Sequence, residues 1–510
     1  MSSRELATGD WNRNSSVTPP SRIRPLNDRP IRSTGAFVLY WMTTARRPGS
    51  SFGLQRAVET AVELNRPLVV LEALRCDYPW ASDRIHRFVL DGMAANVRAF
   101  AGRPVLYYPY VEPAPGAGRG LVAALGAQAC AIVTDWYPAF FIPRMNESAG
   151  RQAPVRMEAI DSNGIIPVAE HGRAFPTARG YRAFMQRVLK AHVRNVPDVD
   201  PLESFGAGPI AEVPRDIASR WPPASSSLLE GDDAELSMLA IDHSVKPVAL
   251  KGGSEAAQTM LRTFVDQKLE RYGDAHNHPD LDGTSRLSPY LHFGHVSAHQ
   301  IFAAVMTRER WTTRRLAAGA SGGREGWWGV SPAAETFLEQ LLVWRELAFN
   351  GCSWTEGIDR YETLPAWARK TLEAHMDDPR PHLYSVETLA AADTHDEIWN
   401  AVQRELKTDG WFHGYMRMLW GKKLLEWCAH PAEALRHMEH LMNRYSLDGR
   451  DPVSYASFGW VLGRYDRPWP ERPIFGTVRC MTSASAKRKL KMKEYLQRHA
   501  PSGSGSPRLF

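Results

Sequence analysis

Up to about residue 180, apolar runs of strand length alternate with stretches of helical period, and beyond about residue 252 the strand signals stop. That switch constrains the fold more than any other feature. "GAFVLYWM", "RPLVVLEAL", "RPVLYYPYV", "ACAIVTDWY" and "GIIPVAE" read as buried strands bounded by turn residues. Between them "LQRAVETAVELN" and "SDRIHRFVLDGMAANVRAFA" carry helical spacing, the second opening on a Ser/Asp cap. Parallel strands need crossover helices and cover on both faces, so the first half is expected to be a Rossmann-like α/β domain, residues 35–185, on a five-stranded parallel sheet. No GxGxxG follows a strand and no Walker loop is present, so the sheet shows no dinucleotide or nucleotide signature of its own.

Residues 1–34 are polar and arginine-bearing, a flexible arm, and residues 186–251, with "RWPPASSSLLEGDD", read as an interdomain linker. "SEAAQTMLRTFVDQKLERYG", "AETFLEQLLVWRELAFNG", "LPAWARKTLEAHM" and "PAEALRHMEHLMNRY" are successive helices of an all-helical domain, residues 252–498, followed by a flexible tail, 499–510. "GASGGREGWWGVSP" is a glycine-rich loop expected to move. A length of 510 residues suits two domains. The start lacks the apolar stretch of a signal peptide and no run of 18 apolar residues occurs, so no membrane partner and a cytoplasmic location are expected. Five scattered cysteines without a CxxC pair point to reduced thiols, not to a disulfide framework or a metal site. A net charge of +6 permits a polyanionic partner, and seventeen tryptophans suit a protein that handles nucleobases or a flat cofactor.

Three segments concentrate chemistry. "WNAVQRELKTDGWFHGYMRMLWGKKLLEW" holds Trp399, Trp411, Trp420 and Trp427 among helix formers. Trp420 and Trp427 are seven residues apart and share a helix face, roughly 10 Å apart along the axis. Spacing alone leaves a tryptophan-rich core as the plainer account. In "GTSRLSPYLHFG" the Ser288-Pro289 pair reads as a helix N-terminus, with the Thr284, Ser285 and Ser288 hydroxyls placed where a phosphate is favoured. "SLDGRDP" is a turn in which two carboxylates flank an arginine, and "KRKLKMKEYLQRH" reads as a basic helix, solvated or in contact with phosphate. No HExxH spacing or Ser/His/Asp signature appears.

Taken in order, "GTSRLSPYLHFG", "FLEQLLVWREL", "THDEIWNAVQREL", "HGYMRMLWGKKLLEW", "LDGRDP" and "ERPIFGTVRCM" resemble the photolyase/cryptochrome flavoproteins, specifically class II cyclobutane pyrimidine dimer photolyases, and the likeness covers nearly residues 35–495. The resemblance implies an α/β antenna domain before a helical FAD-binding domain. It implies a light-driven lyase that splits pyrimidine dimers in double-stranded DNA, acting as a monomer. A second, antenna chromophore of deazaflavin or folate type is also implied, with no motif here to select one. By the resemblance Trp399, Trp420 and Trp427 form a relay that re-reduces the flavin. Tyr272, Thr284, Ser285, Arg286, Leu287 and Ser288 would hold the FAD phosphates and their surroundings, with Arg345 a further candidate, and Arg417 and Asp448 would pair beside the isoalloxazine. Trp344, Met418 and Trp460 would line the lesion pocket, and Arg479 would fill the gap left in the DNA. Three positions depart from the family pattern. Gln340 stands where a glutamate faces the dimer, Met442 where an asparagine faces flavin N5, and Gln300 where an arginine lies near the lesion. They raise an alternative to repair: a photolyase-derived photoreceptor, or a flavoenzyme acting on another substrate.

Overall fold

A computed structural model describes residues 17–203, 205–206 and 209–501. The expectations for residues 1–16 and 502–510 lie outside the described residues. The first half is built on a six-stranded sheet in the order β1-β6-β5-β2-β3-β4. Its strands are β1 (Ile23–Pro25), β2 (Phe37–Met42), β3 (Leu68–Leu74), β4 (Val105–Val111), β5 (Ala129–Asp135) and β6 (Met157–Ile160). β2 and β5 are buried along their whole length, as strands covered on both faces must be. At the carboxyl end of β5 the Asp135 carboxylate accepts from the backbone N–H groups of Thr43, Thr44 and Ala45 at 2.8–2.9 Å and from the Tyr40 hydroxyl at 2.7 Å. The crevice at the switch point between β5 and β2 is thereby filled by the protein's own anion.

The sheet differs from the expected five parallel strands in two places. β1 pairs antiparallel with β6, Ile23 opposite Ile160, so the sheet is mixed. Residues 17–34 are correspondingly no loose arm. Arg22 is fully buried, its guanidinium donating to Asp161 O at 3.0 Å and Ile165 O at 2.8 Å and lying 4.3 Å over the Phe52 ring. "GIIPVAE" is not a strand. Pro167 has no N–H for a ladder, the Ile165 N–H goes to the Glu346 carboxylate, and the chain turns into a short 3-10 helix, Val168–His171. The true last strand is the four-residue "MEAI" just before it.

Residues 186–251 are more than a linker. Short helices Arg215–Arg220, Ser226–Glu230 and Asp233–Ser237 bury Trp221, Leu228, Leu229 and Leu236, and Arg87 fastens the carbonyls of Leu228 and Leu229. Ser82 precedes the helix Asp83–Phe100 without making the expected side-chain cap. The glycine-rich loop is pinned, with Arg182 donating to Gly322 O, Gln186 bridging Gly322 and Gly323, and Trp327 and Trp328 buried.

The second half is helical. Asp396 caps Glu397–Asp409 by accepting from Trp399 N at 3.0 Å, and Asp451 caps Pro452–Val461 by accepting from Val453 N at 2.8 Å. Pro332–Leu338 runs on through a wider π-helical turn, Glu339–Trp344, into Arg345–Trp354. The basic tail is two short helices, Ser483–Lys489 and Lys493–Arg498, rather than one. Buried polar contacts join the halves. Glu346 accepts from Ile165 N and Tyr181 OH, Arg84 donates to the carbonyls of Leu406, Lys407 and Tyr445, and Arg47 donates to Gly294 O. At Gly294 (φ +72°) an added Cβ would lie 1.8 Å from Thr44 O, so only glycine permits this approach. No helix among the described residues is long and apolar enough to cross a membrane.

Candidate functional site

A cavity of about 440 Å³ opens in the helical half, within the usual range for small-molecule sites. The helix Gly414–Trp427 contributes Tyr415, Arg417, Met418 and Lys422. The π-helical turn supplies Gln340, Leu341 and Trp344, and Arg345 follows; the wider turn brings this run onto one face, a common use of π-bulges. Tyr272, Thr284, Ser285, Arg286, Leu287, Ser288, Asp448, Asp451, Trp460 and Arg479 also line the cavity. The structure therefore brings together in one cavity every expected cofactor-side residue, and Gln340, Trp344, Met418, Trp460 and Arg479 from the expected substrate side.

At its heart Arg417 Nη2 donates to both Asp448 oxygens, at 3.0 and 2.9 Å. Burial would push the Asp448 carboxyl upward. The Arg417 charge and the hydroxyls of Ser446 and Ser288 outweigh burial and hold it below the ordinary value of 3.8. Arg417 Nε is buried without a hydrogen-bond partner, leaving a donor for a ligand. Arg345 donates to Asn163 O at 2.8 Å and lies 4.5 Å over Phe349, so its fixed charge is anchored to the first half. The Trp344 and Trp460 rings stack at 4.4 Å and 15°. Ser288 opens only a five-residue helix, Ser288–His292, too short for its dipole to matter, so the hydroxyls themselves remain the phosphate-side feature.

The three tryptophans lie behind the cavity, each at most 2% exposed. Phe412, on the cavity wall, is 5.7 Å from Trp420. Trp420 stacks on Trp399 at 6.4 Å and 3°, and Trp399 meets Trp427 at 5.5 Å. The order is thus Trp420, Trp399, Trp427, crossing between two helices although Trp420 and Trp427 share one. Trp399 Nε1 donates to Trp420 O at 3.1 Å and Trp420 Nε1 to Gln403 Oε1 at 2.9 Å.

Two expected residues are not brought to the cavity. Gln300 completes a capping box: its side chain accepts from Ser297 N at 2.9 Å while Ser297 Oγ accepts from Gln300 N at 3.0 Å. The Ser-x-x-Gln spacing signals this role in the sequence itself. Met442 is fully buried in the core around Trp399 and Trp420 and does not line the cavity. Among the lining residues that the sequence did not assign to the site are Lys422 and Asp451, the second carboxylate of the 446–452 turn. Asp451 accepts from Tyr137 OH at 2.7 Å and lies 3.3 Å from His292; Lys422 is 1% exposed, and burial brings it down to about 7. The signal for Lys422 was its position one helical turn beyond Met418.

No protein-family model matches the chain. It is 33% identical to the deoxyribodipyrimidine photo-lyase of Methanothermobacter thermautotrophicus, over 94% of this chain and 97% of that one. The chain belongs to the photolyase family. Photolyase relatives of the same name in Oryza sativa subsp. japonica and Arabidopsis thaliana are 32% and 30% identical, over 93% and 94% of this chain and 90% and 92% of theirs. Among solved structures, the photolyase fold recurs in a bacterial class III photolyase from Agrobacterium tumefaciens (TM-score 0.61, 15% identity, 92% of this chain and 87% of that one). It recurs also in an archaeal photolyase from Sulfolobus tokodaii described with two FAD molecules (TM-score 0.60, 15% identity, 90% and 89%).

Proposed function

We propose that this chain is a light-driven, FAD-dependent lyase of the class II type that splits cyclobutane pyrimidine dimers in double-stranded DNA. One observation carries the reading: a single cavity joins the 284–288 hydroxyls, the Arg417–Asp448 pair and the Trp344/Trp460 wall, with stacked indoles directly behind it. The residues fit FAD. Hydroxyls and Arg286 suit a pyrophosphate, and the buried, unpartnered Arg417 Nε suits a polar ring edge. When bound and reduced, FAD supplies under light an electron that the dimer takes up and returns as its ring opens.

The protein's own part is positioning. Trp344 and Trp460 offer π-faces to unpaired pyrimidines, Gln340 an amide donor and acceptor to their edges, and Arg479 a phosphate contact. Asp448 fixes the Arg417 charge, and Trp420, Trp399 and Trp427 offer a path for electrons toward the cavity. A second reading, a photoreceptor or flavoenzyme with little repair, is favoured by the amide that Gln340 places in the cavity. The test is blue-light illumination of photoreduced protein with an oligonucleotide carrying one thymine dimer. Restoration of the thymines supports repair. Tightly held flavin with no restoration supports the second reading, and a protein that binds no flavin sinks both.

A further inference from the structure

Among the described residues, Lys422 is the only lysine lining the cavity. It follows Met418 by one turn of the helix Gly414–Trp427, so both side chains reach the same face. Its Nζ donates to Val461 O, the carbonyl next in the chain to Trp460. One N–H is used there, and two remain. No carboxylate among the described residues lies within ion-pair distance of it. Asp466 and Cys480, from the segment after Val461, favour its charge from farther away, and Arg479 opposes it. Burial outweighs these influences and brings the ammonium down to about 7, so charged and neutral forms coexist near neutral pH. A buried ammonium with free donors and no counter-charge is costly unless an acceptor enters the cavity.

We propose that Lys422 is a further substrate-contacting residue, whose ammonium donates a hydrogen bond to a pyrimidine carbonyl of a dimer seated against Trp344 and Trp460. Its charge also opposes the negative charge that builds on that carbonyl while the dimer holds an extra electron. The lysine keeps its proton, and the electron leaves the split product, so no further reactant is needed. The inference rests on the dimer-repair reading. The charged form exists below about 7 and disappears above it, so preference for dimer DNA falls as pH rises. Because the acceptor favours the charged form, the midpoint in the complex lies above that of the free protein.

The experiment measures, in the dark, the affinity of flavin-loaded protein for oligonucleotides with and without one thymine dimer, from about pH 6 to about pH 9. Wild type should lose its preference for the dimer as pH rises. K422M should lose about tenfold of that preference at the acid end, the weight of a charge-assisted hydrogen bond, and show a flat profile. K422R stays charged throughout and should keep a flat preference, which decides the matter if K422M does not fold. A wild-type profile in K422M, or an unchanged fall with pH in K422R, overturns the proposal while leaving the repair reading intact. A wild-type protein with no preference for the dimer at any pH overturns both.

Discussion

Asp448 and Arg417 show how a pair of side chains can hold charge in a dry site. Asp448→Asn would leave the part-buried guanidinium without its anion, a loss of about 1.5–3 kcal/mol. The expected outcome is a lower melting temperature and a protein that sheds flavin on desalting, read from the absorbance that stays with the chain. The sign of the pH effect follows from the depressed Asp448 value. Its contribution is complete at neutral pH and fades only as pH falls below the ordinary carboxylate value of 3.8, so flavin retention should be flat from neutral down to that range. Trp399 sits between the other two indoles. Trp399→Phe keeps an aromatic ring but removes the bond to Trp420 O, costing about 1 kcal/mol, and interrupts the path at its middle. Photoreduction with an external donor should slow markedly while flavin stays bound; an unchanged rate would make the three tryptophans a core and nothing more.

Helices and strands carry the clearest lesson about what a sequence reveals. The alternation of "GAFVLYWM", "RPLVVLEAL", "RPVLYYPYV" and "ACAIVTDWY" with helical stretches is enough to place four of the six strands, because buried parallel strands are written as continuous apolar runs. "GIIPVAE" is apolar too, and its proline alone does not mark it off, since edge strand β4 holds Pro109, but its backbone finds partners in the other half of the molecule. "MEAI" is too short to register by pattern. The π-helical turn Glu339–Trp344 leaves no sequence trace, since it depends on which carbonyl each N–H reaches, yet it sets the facing of Gln340 and Trp344. Gln300 was assigned by resemblance to the lesion pocket, while its Ser-x-x-Gln context announced a cap. Gln300→Ala should therefore cost roughly 0.5–1 kcal/mol in thermal or denaturant unfolding and leave affinity for dimer-containing DNA unchanged. A large loss of that affinity with stability intact would return the residue to the pocket.

Across the whole molecule, buried histidines dominate the response to acid. Burial lowers His86, His171 and His413 to about 4 and His295 to about 3, so each is neutral in the folded protein but takes a proton near its ordinary value of 6.5 once unfolded. Their contribution is present above 6.5 and lost as pH falls toward 4. Glu346 and Glu405 work the other way: burial raises each to about 7, which favours the folded state on the acid side. The histidines are more numerous, so the melting temperature should fall steadily from about pH 6.5 to about pH 4; a rise over that interval would mean the carboxyls prevail. Glu346 and its neighbour Arg345 also bear on how the two halves cooperate. Arg345 faces the cavity and bonds to Asn163, and Glu346 takes the N–H of Ile165 and the hydroxyl of Tyr181, so two consecutive residues hold a cavity wall against the first half. The α/β half is thus a buttress as well as a candidate light collector. Cut free of it, the helical half would lose the stop against which the Trp344 turn is set, and its cavity would no longer have a fixed width.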